Sequence, residues 1–204
     1  MKRKALIIID VQNDFCPQGA LPVPDGDKII PIINNITKKF FKVVATQDWH
    51  PKNHISFAST HNKNVGETIK FKGHTQFLWP DHCVEGSYGA EFHKDLNLND
   101  VDLIIRKGTN PNVDSYSAFL ENDKKTQTGL HYYLKGLGIK EVYICGLALD
   151  YCVYFSACDA KKFGFKTYVV LDATKGVDVP KGNIEKTLSH MKSLGIKIIT
   201  HEKI

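Results

Sequence analysis

The sequence predicts a doubly wound α/β fold, a mainly parallel six-stranded sheet with helices on both faces. Three observations predict it. Six short runs rich in Ile, Val and Leu recur along the chain, apolar nearly throughout rather than alternating, which is the pattern of strands covered on both faces. Helix-length amphipathic segments lie between most of them, and strand–helix alternation marks an open parallel sheet. Glycine stands just before a strand in LKGLGIKEVYI, KKFGFKTYVV and KSLGIKIIT, where a helix must stop on a residue free to take positive φ.

In chain order, ALIIID (5–10) is the first strand and Asp27–Phe41 the first amphipathic segment, followed by the strand KVVATQD (42–48). From Trp49 to about Asp100 the chain is rich in His, Asn, Gly and Pro and shows no sustained period. A connection of about fifty residues far exceeds ordinary loops and is generally functional. We therefore read one domain, 1–204, with a long insertion at about 49–100. The strand VDLIIRK (101–107), a helix over roughly Thr128–Gly138, the strand EVYICGL (141–147) and a helix over Asp150–Gly164 follow. KTYVVLD (166–172), a helix over Lys181–Gly195 and IKIIT (196–200) complete the alternation.

With 204 residues, 42% of them hydrophobic, the chain can bury one continuous core. The net charge of +5 comes from lysines scattered along the sequence, whereas nucleic-acid binders concentrate charge on one face, so no nucleic-acid partner is expected. The basic start MKRKALIIID has too short an apolar run for a signal peptide. No segment approaches the ~20 apolar residues of a bilayer span, so no membrane partner and a cytoplasmic location are expected. Cys16, Cys83, Cys145, Cys152 and Cys158 form no C-x-x-C pair, which points to reduced thiols rather than a disulfide framework or zinc ribbon.

Ligands of open α/β sheets bind at the carboxyl ends of the strands. Those ends carry Asp10, Asp48 with His50, Lys107, the 146–152 turn and Asp172. Cys152 falls in the first turn of a helix, where free N–H groups and the helix dipole lower a thiol pKa; on position alone it is either a nucleophile or a small buried filler. Cys145, inside a strand, and Cys158, mid-helix, read as fillers. Asp10 beside Lys107 supplies a proton acceptor and a cation to a thiol nucleophile. Asp48 and His50, one residue apart in extended chain, point to the same side, and His82 from the insertion completes a carboxylate and two imidazoles suited to Zn²⁺, Fe²⁺ or Mn²⁺. His54 or Ser56 adds a further ligand or supports one. Phe15, Trp79 and Tyr116 flank these groups and suit a flat ring. His131 and His201 read as surface or loop residues.

LIIIDVQNDFCPQGAL, QDWHP, WPDHCV, RKG and CGLALDYCV, in this order over nearly the whole chain, resemble the isochorismatase-like cysteine hydrolases, and more closely their nicotinamidase/pyrazinamidase branch. The resemblance implies Asp10, Lys107 and Cys152 as the catalytic triad. It implies Asp48, His50 and His82 as ligands of a divalent metal, zinc first with iron or manganese as alternatives, the fourth ligand being open between His54 and Ser56. It implies Phe15 and Trp79 as the ring sandwich, with Tyr116, Leu147 and Tyr151 completing the substrate pocket, and a cis peptide before Ala148, whose N–H forms the oxyanion hole with that of Cys152. The implied reaction is hydrolysis of nicotinamide, and of pyrazinamide, in NAD salvage. Homo-oligomerisation is left open. Another amidase or hydrolase of the superfamily, and a non-catalytic binder with a degenerate site, are the alternative readings.

Overall fold

The computed structural model describes residues 3–71 and 73–204. Its strands and helices are, in order, β1 (Lys4–Ile9), α1 (Ile30–Ile36), β2 (Lys42–Asp48), β3 (Thr68–Phe71), β4 (His74–Phe77), β5 (Leu103–Lys107), α2 (Leu130–Gly136), β6 (Glu141–Leu147), α3 (Tyr154–Lys162), β7 (Lys166–Lys175), α4 (Asn183–Ser193) and β8 (Lys197–Ile199). Six strands form one sheet, β5-β2-β1-β6-β7-β8, with every pairing parallel. All six predicted strands are present. No helix among the described residues is long and apolar enough to cross a membrane.

β1 shows why its run is apolar throughout. Leu6 and Ile8 pack into one core with Ile30, Ile33 and Ile36 of the α1 region, while Ala5, Ile7 and Ile9 enter a second core with Leu130, Leu134 and Ala157 of α2 and α3. A central strand whose alternate side chains feed opposite layers has no solvent face. Each fully buried Ile contributes about 2 kcal/mol of transfer free energy.

Strand order runs outward in opposite directions from β1 and β6, so the crevice beyond their carboxyl ends is the topological switch point. Gly146 makes the two strands meet closely there. At φ 106°, an added Cβ would lie 2.1 Å from the Ile9 carbonyl oxygen, so only glycine fits. β6 then delivers its following turn directly against Asp10.

Four expectations need correction. β7 continues to Lys175, so Asp172 lies within a strand, where its carboxylate accepts from the backbone N–H and ring of His201 at 2.9 and 2.5 Å. This pair ties β7 to the C-terminal turn, and neither residue belongs to the crevice. His131 is buried in α2, stacked on Phe163 with centroids 4.2 Å apart. The 49–100 insertion contains an antiparallel hairpin, β3–β4, whose four-residue strands are too short to show a period. The segment over Asp150–Gly164 starts not as an α-helix but as a π turn over Leu149–Val153.

Candidate active site

Asp10, Lys107 and Cys152 meet under the switch-point crevice. Lys107 Nζ lies 2.9 Å from Asp10 Oδ2, 2.5 Å from Asp48 Oδ1 and 3.5 Å from Cys152 Sγ, and donates to the Ser115 carbonyl at 2.9 Å. The ammonium is fully enclosed. Burial works against its charge, but Asp10 and Asp48 outweigh burial and hold its pKa well above the ordinary lysine value. Thr46 Oγ1 donates to Asp10 Oδ1 at 2.6 Å and accepts from the Asp10 N–H at 3.2 Å, fixing the carboxylate at a backbone φ of 47° that residues with a Cβ rarely adopt.

Burial pushes the Asp10 carboxyl up to about 6, with Lys107 pulling against it and Asp48 adding to it. The Cys152 thiol goes the same way. Burial drives it well above the ordinary thiol value, Lys107 opposes, and Asp10 and Asp48 reinforce the rise. This runs against the expectation of a thiol acidified by a helix dipole: burial and two carboxylates outweigh one π turn. The Cys152 sulfur and an Asp10 carboxylate oxygen lie within 4.8 Å of each other.

Asp48 joins this group to the second one. Its Oδ1 holds Lys107 while Oδ2 faces His50 Nε2 at 3.6 Å. Burial would raise its pKa, yet Lys107 and then His50 hold the carboxyl well below the usual range. Asp48, His50 and His82 each present a ligand atom within 4.8 Å of the others. His50 Nδ1 is 2.9 Å from the Gly108 carbonyl and His82 Nδ1 is 2.7 Å from that of Pro80. A carbonyl can only accept, so both rings carry hydrogen on Nδ1 and keep the Nε2 lone pair for the site, as metal-ligating imidazoles do. The donor set therefore fits a divalent cation. Burial and the neighbouring His50 push His82 down to about 4, which keeps that ring neutral.

His54 and Ser56 lie behind His50. His54 stacks on it with centroids 4.1 Å apart, while its Nδ1 engages Ser56 Oγ at 2.7 Å and its Nε2 the Val113 carbonyl at 3.3 Å. Both nitrogens thus have protein partners, and neither residue lines the crevice.

Above the thiol is a cleft of about 450 Å³, its open mouth included, walled by Phe15, Trp79, Tyr116, Tyr151, Val23 and Val177. Trp79 Nε1 donates to Tyr116 Oη at 3.0 Å, so indole and phenol hold each other. Ala148 and Cys152 reach the same cleft, and the Leu147–Ala148 peptide is cis. Leu147 is the exception among the predicted pocket residues: its side chain is wholly buried in the core, its Cδ1 packed towards Gly26.

Sequence reasoning missed Asp114, Val177 and Gln12. Asp114 lines the cleft and accepts from Gln76 Nε2 at 2.8 Å. Gln12 is buried and holds Asp48 from both sides, accepting its N–H at 2.8 Å and donating to its carbonyl at 2.9 Å. The available signal for Gln12 was its place two residues beyond Asp10, at the carboxyl end of the first strand.

The isochorismatase domain model matches residues 4–203. A curated nicotinamidase of Acinetobacter baylyi is 49% identical over 201 residues, covering 98% of this chain and 94% of that one. The solved nicotinamidase/pyrazinamidase of Acinetobacter baumanii superposes with a TM-score of 0.97 at 50% identity, covering 100% of this chain and 98% of the other. The pyrazinamidase of Pyrococcus horikoshii, solved in complex with zinc, gives a TM-score of 0.80 at 44% identity over 97% of this chain and 99% of that one. A family match that takes in every strand of the sheet, and with them the residues gathered at its switch point, means that this chain belongs to the isochorismatase-like superfamily, in its nicotinamidase/pyrazinamidase branch.

Proposed function

We propose that this chain hydrolyses nicotinamide to nicotinate and ammonia through a thioester on Cys152, as a step of NAD salvage. The observation that carries the proposal is the placement of Cys152 Sγ, 3.5 Å from Lys107 and within 4.8 Å of an Asp10 carboxylate oxygen, in the lining of an aromatic cleft. Phe15 and Trp79 sandwich the pyridine ring and Tyr116 and Tyr151 close its sides. Pyrazinamide, with the same ring size, fits the same walls. The free cysteines suit a reducing compartment, and we place the reaction in the cytoplasm.

As Cys152 Sγ bonds to the amide carbon, its proton passes to Asp10, whose raised pKa makes it an effective base near neutrality. The carbonyl oxygen takes the negative charge, and the N–H groups of Ala148 and Cys152 receive it; losing one such donor costs on the order of 100-fold in rate. Asp10 returns the proton to the amide nitrogen, the C–N bond breaks and ammonia leaves. Water then adds to the thioester carbon as Asp10 takes its proton, and the thiol departs with that proton. Lys107 keeps Asp10 ionised between transfers and offsets charge on sulfur.

Asp48, His50 and His82 would hold the metal, which we assign as zinc. When bound it supplies a Lewis-acid contact for the ring nitrogen. The test is ammonia release from nicotinamide before chelation, after chelation and after zinc add-back: expected is release, a loss of about 100-fold or more, and recovery. No release under any metal condition refutes the function.

Gly108 shows how tightly the ligands are seated. At φ 64°, a Cβ there would fall 2.3 Å from His50 Cε1 and 2.5 Å from Nδ1. Gly108→Ala therefore displaces the ring from its carbonyl anchor, and metal affinity drops about 10- to 100-fold, read by titration against a competing chelator. Unchanged affinity would show that the anchor does not orient His50.

A further inference from the structure

We propose that Tyr151 is the partition that limits this enzyme to single-ring carboxamides, separating the reaction cleft from a larger groove outside it. The inference rests on the nicotinamidase reading. Tyr151 borders two cavities. One face closes the cleft of about 450 Å³ that holds Cys152, Trp79 and Tyr116. The other borders an open groove of about 1240 Å³ between α3 and α4, walled by Tyr154, Phe155, Lys186, Thr187 and His190. Aromatic faces and hydroxyl or cationic tips around the groove leave ample room for a second ring.

The partition is braced rather than free. Tyr151 Oη donates to the Val179 carbonyl at 2.6 Å, and its ring meets Trp79 edge-on at 5.0 Å and Tyr116 at 5.5 Å. The strap carrying Val179 is itself fixed from the nucleophile turn. The buried Asp150 carboxylate accepts the N–H groups of Val177 and Asp178, each at 3.0 Å, and the Asn183 side chain at 3.2 Å. Val177, on the same strap, lines the cleft. Two successive residues just before the nucleophile, Asp150 and Tyr151, thus set the width of the cavity that Cys152 serves, and Asp150 acts as a positioning residue through the strap.

The test compares dissociation constants of nicotinate and quinoline-3-carboxylate, product-type acids that are not turned over, by calorimetry on the zinc-loaded protein. Wild type is expected to bind the two-ring acid at least about tenfold more weakly, and Tyr151→Ala to shrink that ratio about tenfold or more. Tyr151→Leu, which keeps apolar packing, gives the same direction should the Ala variant melt early. Tyr151→Phe retains the ring but loses its brace, and the ratio moves the same way by about threefold. His190→Ala widens the groove without touching the partition and leaves the ratio at the wild-type value. Equal affinities in wild type, an unchanged ratio in both Tyr151→Ala and Tyr151→Leu, or an equal shift in His190→Ala overturns the partition. A Phe variant indistinguishable from wild type overturns the bracing. Because the ratio is an equilibrium quantity, it stands or falls separately from ammonia release by the wild type, which alone tests the underlying reaction.

Discussion

Cys152→Ala lowers nicotinamide hydrolysis by about 10⁴-fold or more, since removing a nucleophile that acts as one unit with its base abolishes most of the rate acceleration. Asp10→Asn gives a loss of similar size, and the pH profile distinguishes the two roles. The base must be ionised to take the Cys152 proton, and its pKa is pushed up to about 6 by burial. Activity therefore falls as pH drops through about 6, with full rate above it. The sulfur adds no second rising limb in the neutral range, because burial and the two carboxylates hold the thiol pKa well above its ordinary value. The same fact predicts slow alkylation of Cys152 by iodoacetamide at neutral pH, in contrast to a preformed thiolate. The measurement is kcat/KM against pH together with the alkylation rate. A wild type with a flat profile down to about pH 4, or rapid alkylation at neutral pH, would sink the thiol–carboxylate pairing.

Three of the site residues legible in the sequence share one physical property: each is a charged residue that closes a predicted strand at its carboxyl end. Asp10, Asp48 and Lys107 stand out because a core strand gives them no reason to be there, and parallel pairing then brings Asp48 beside Lys107 in register. Distances across the sheet had no such signal. That Asp48 serves both Lys107 and His50 depends on how the strands stagger, and so the two constellations looked separate. The direction of the Cys152 shift was misjudged for a related reason: position in a helix turn is visible in one dimension, whereas enclosure and two carboxylates from other strands are not. Leu147 and Asp172 failed through register. Leu147 points into the core under Gly26, and Asp172 lies three residues short of the true end of β7. Asp114 and Val177 sit on irregular loops, where no periodicity announces which side chains turn inward.

Lys107→Met carries the largest expected effect on stability. The ammonium bridges two buried carboxylates, 2.9 Å from Asp10 and 2.5 Å from Asp48. Methionine fills the stem's volume and removes the charge, leaving both carboxylates enclosed in low dielectric, at a cost of about 3–5 kcal/mol near neutral pH. The sign of the pH dependence follows from linkage. In wild type Asp48 is held below its unfolded value of 3.8, so its contribution is present above about pH 4 and lost as pH falls below that. In the variant the coulombic pull of Lys107 on both carboxyls is gone, their folded pKa values rise, and the penalty grows as pH rises past the unfolded value, by up to about 1.4 kcal/mol per pH unit per carboxyl. Urea unfolding of metal-free protein at pH 5 and pH 8 should therefore show a wider gap between variant and wild type at the higher pH. Lys107→Arg should not rescue, because a planar guanidinium cannot replace Nζ at a fully buried point closed by Asp10, Asp48 and the Ser115 carbonyl at 2.9 Å. Should Lys107→Met match wild type at pH 8, the two carboxylates would have to share a proton already, and Asp10 could not serve as the resting base.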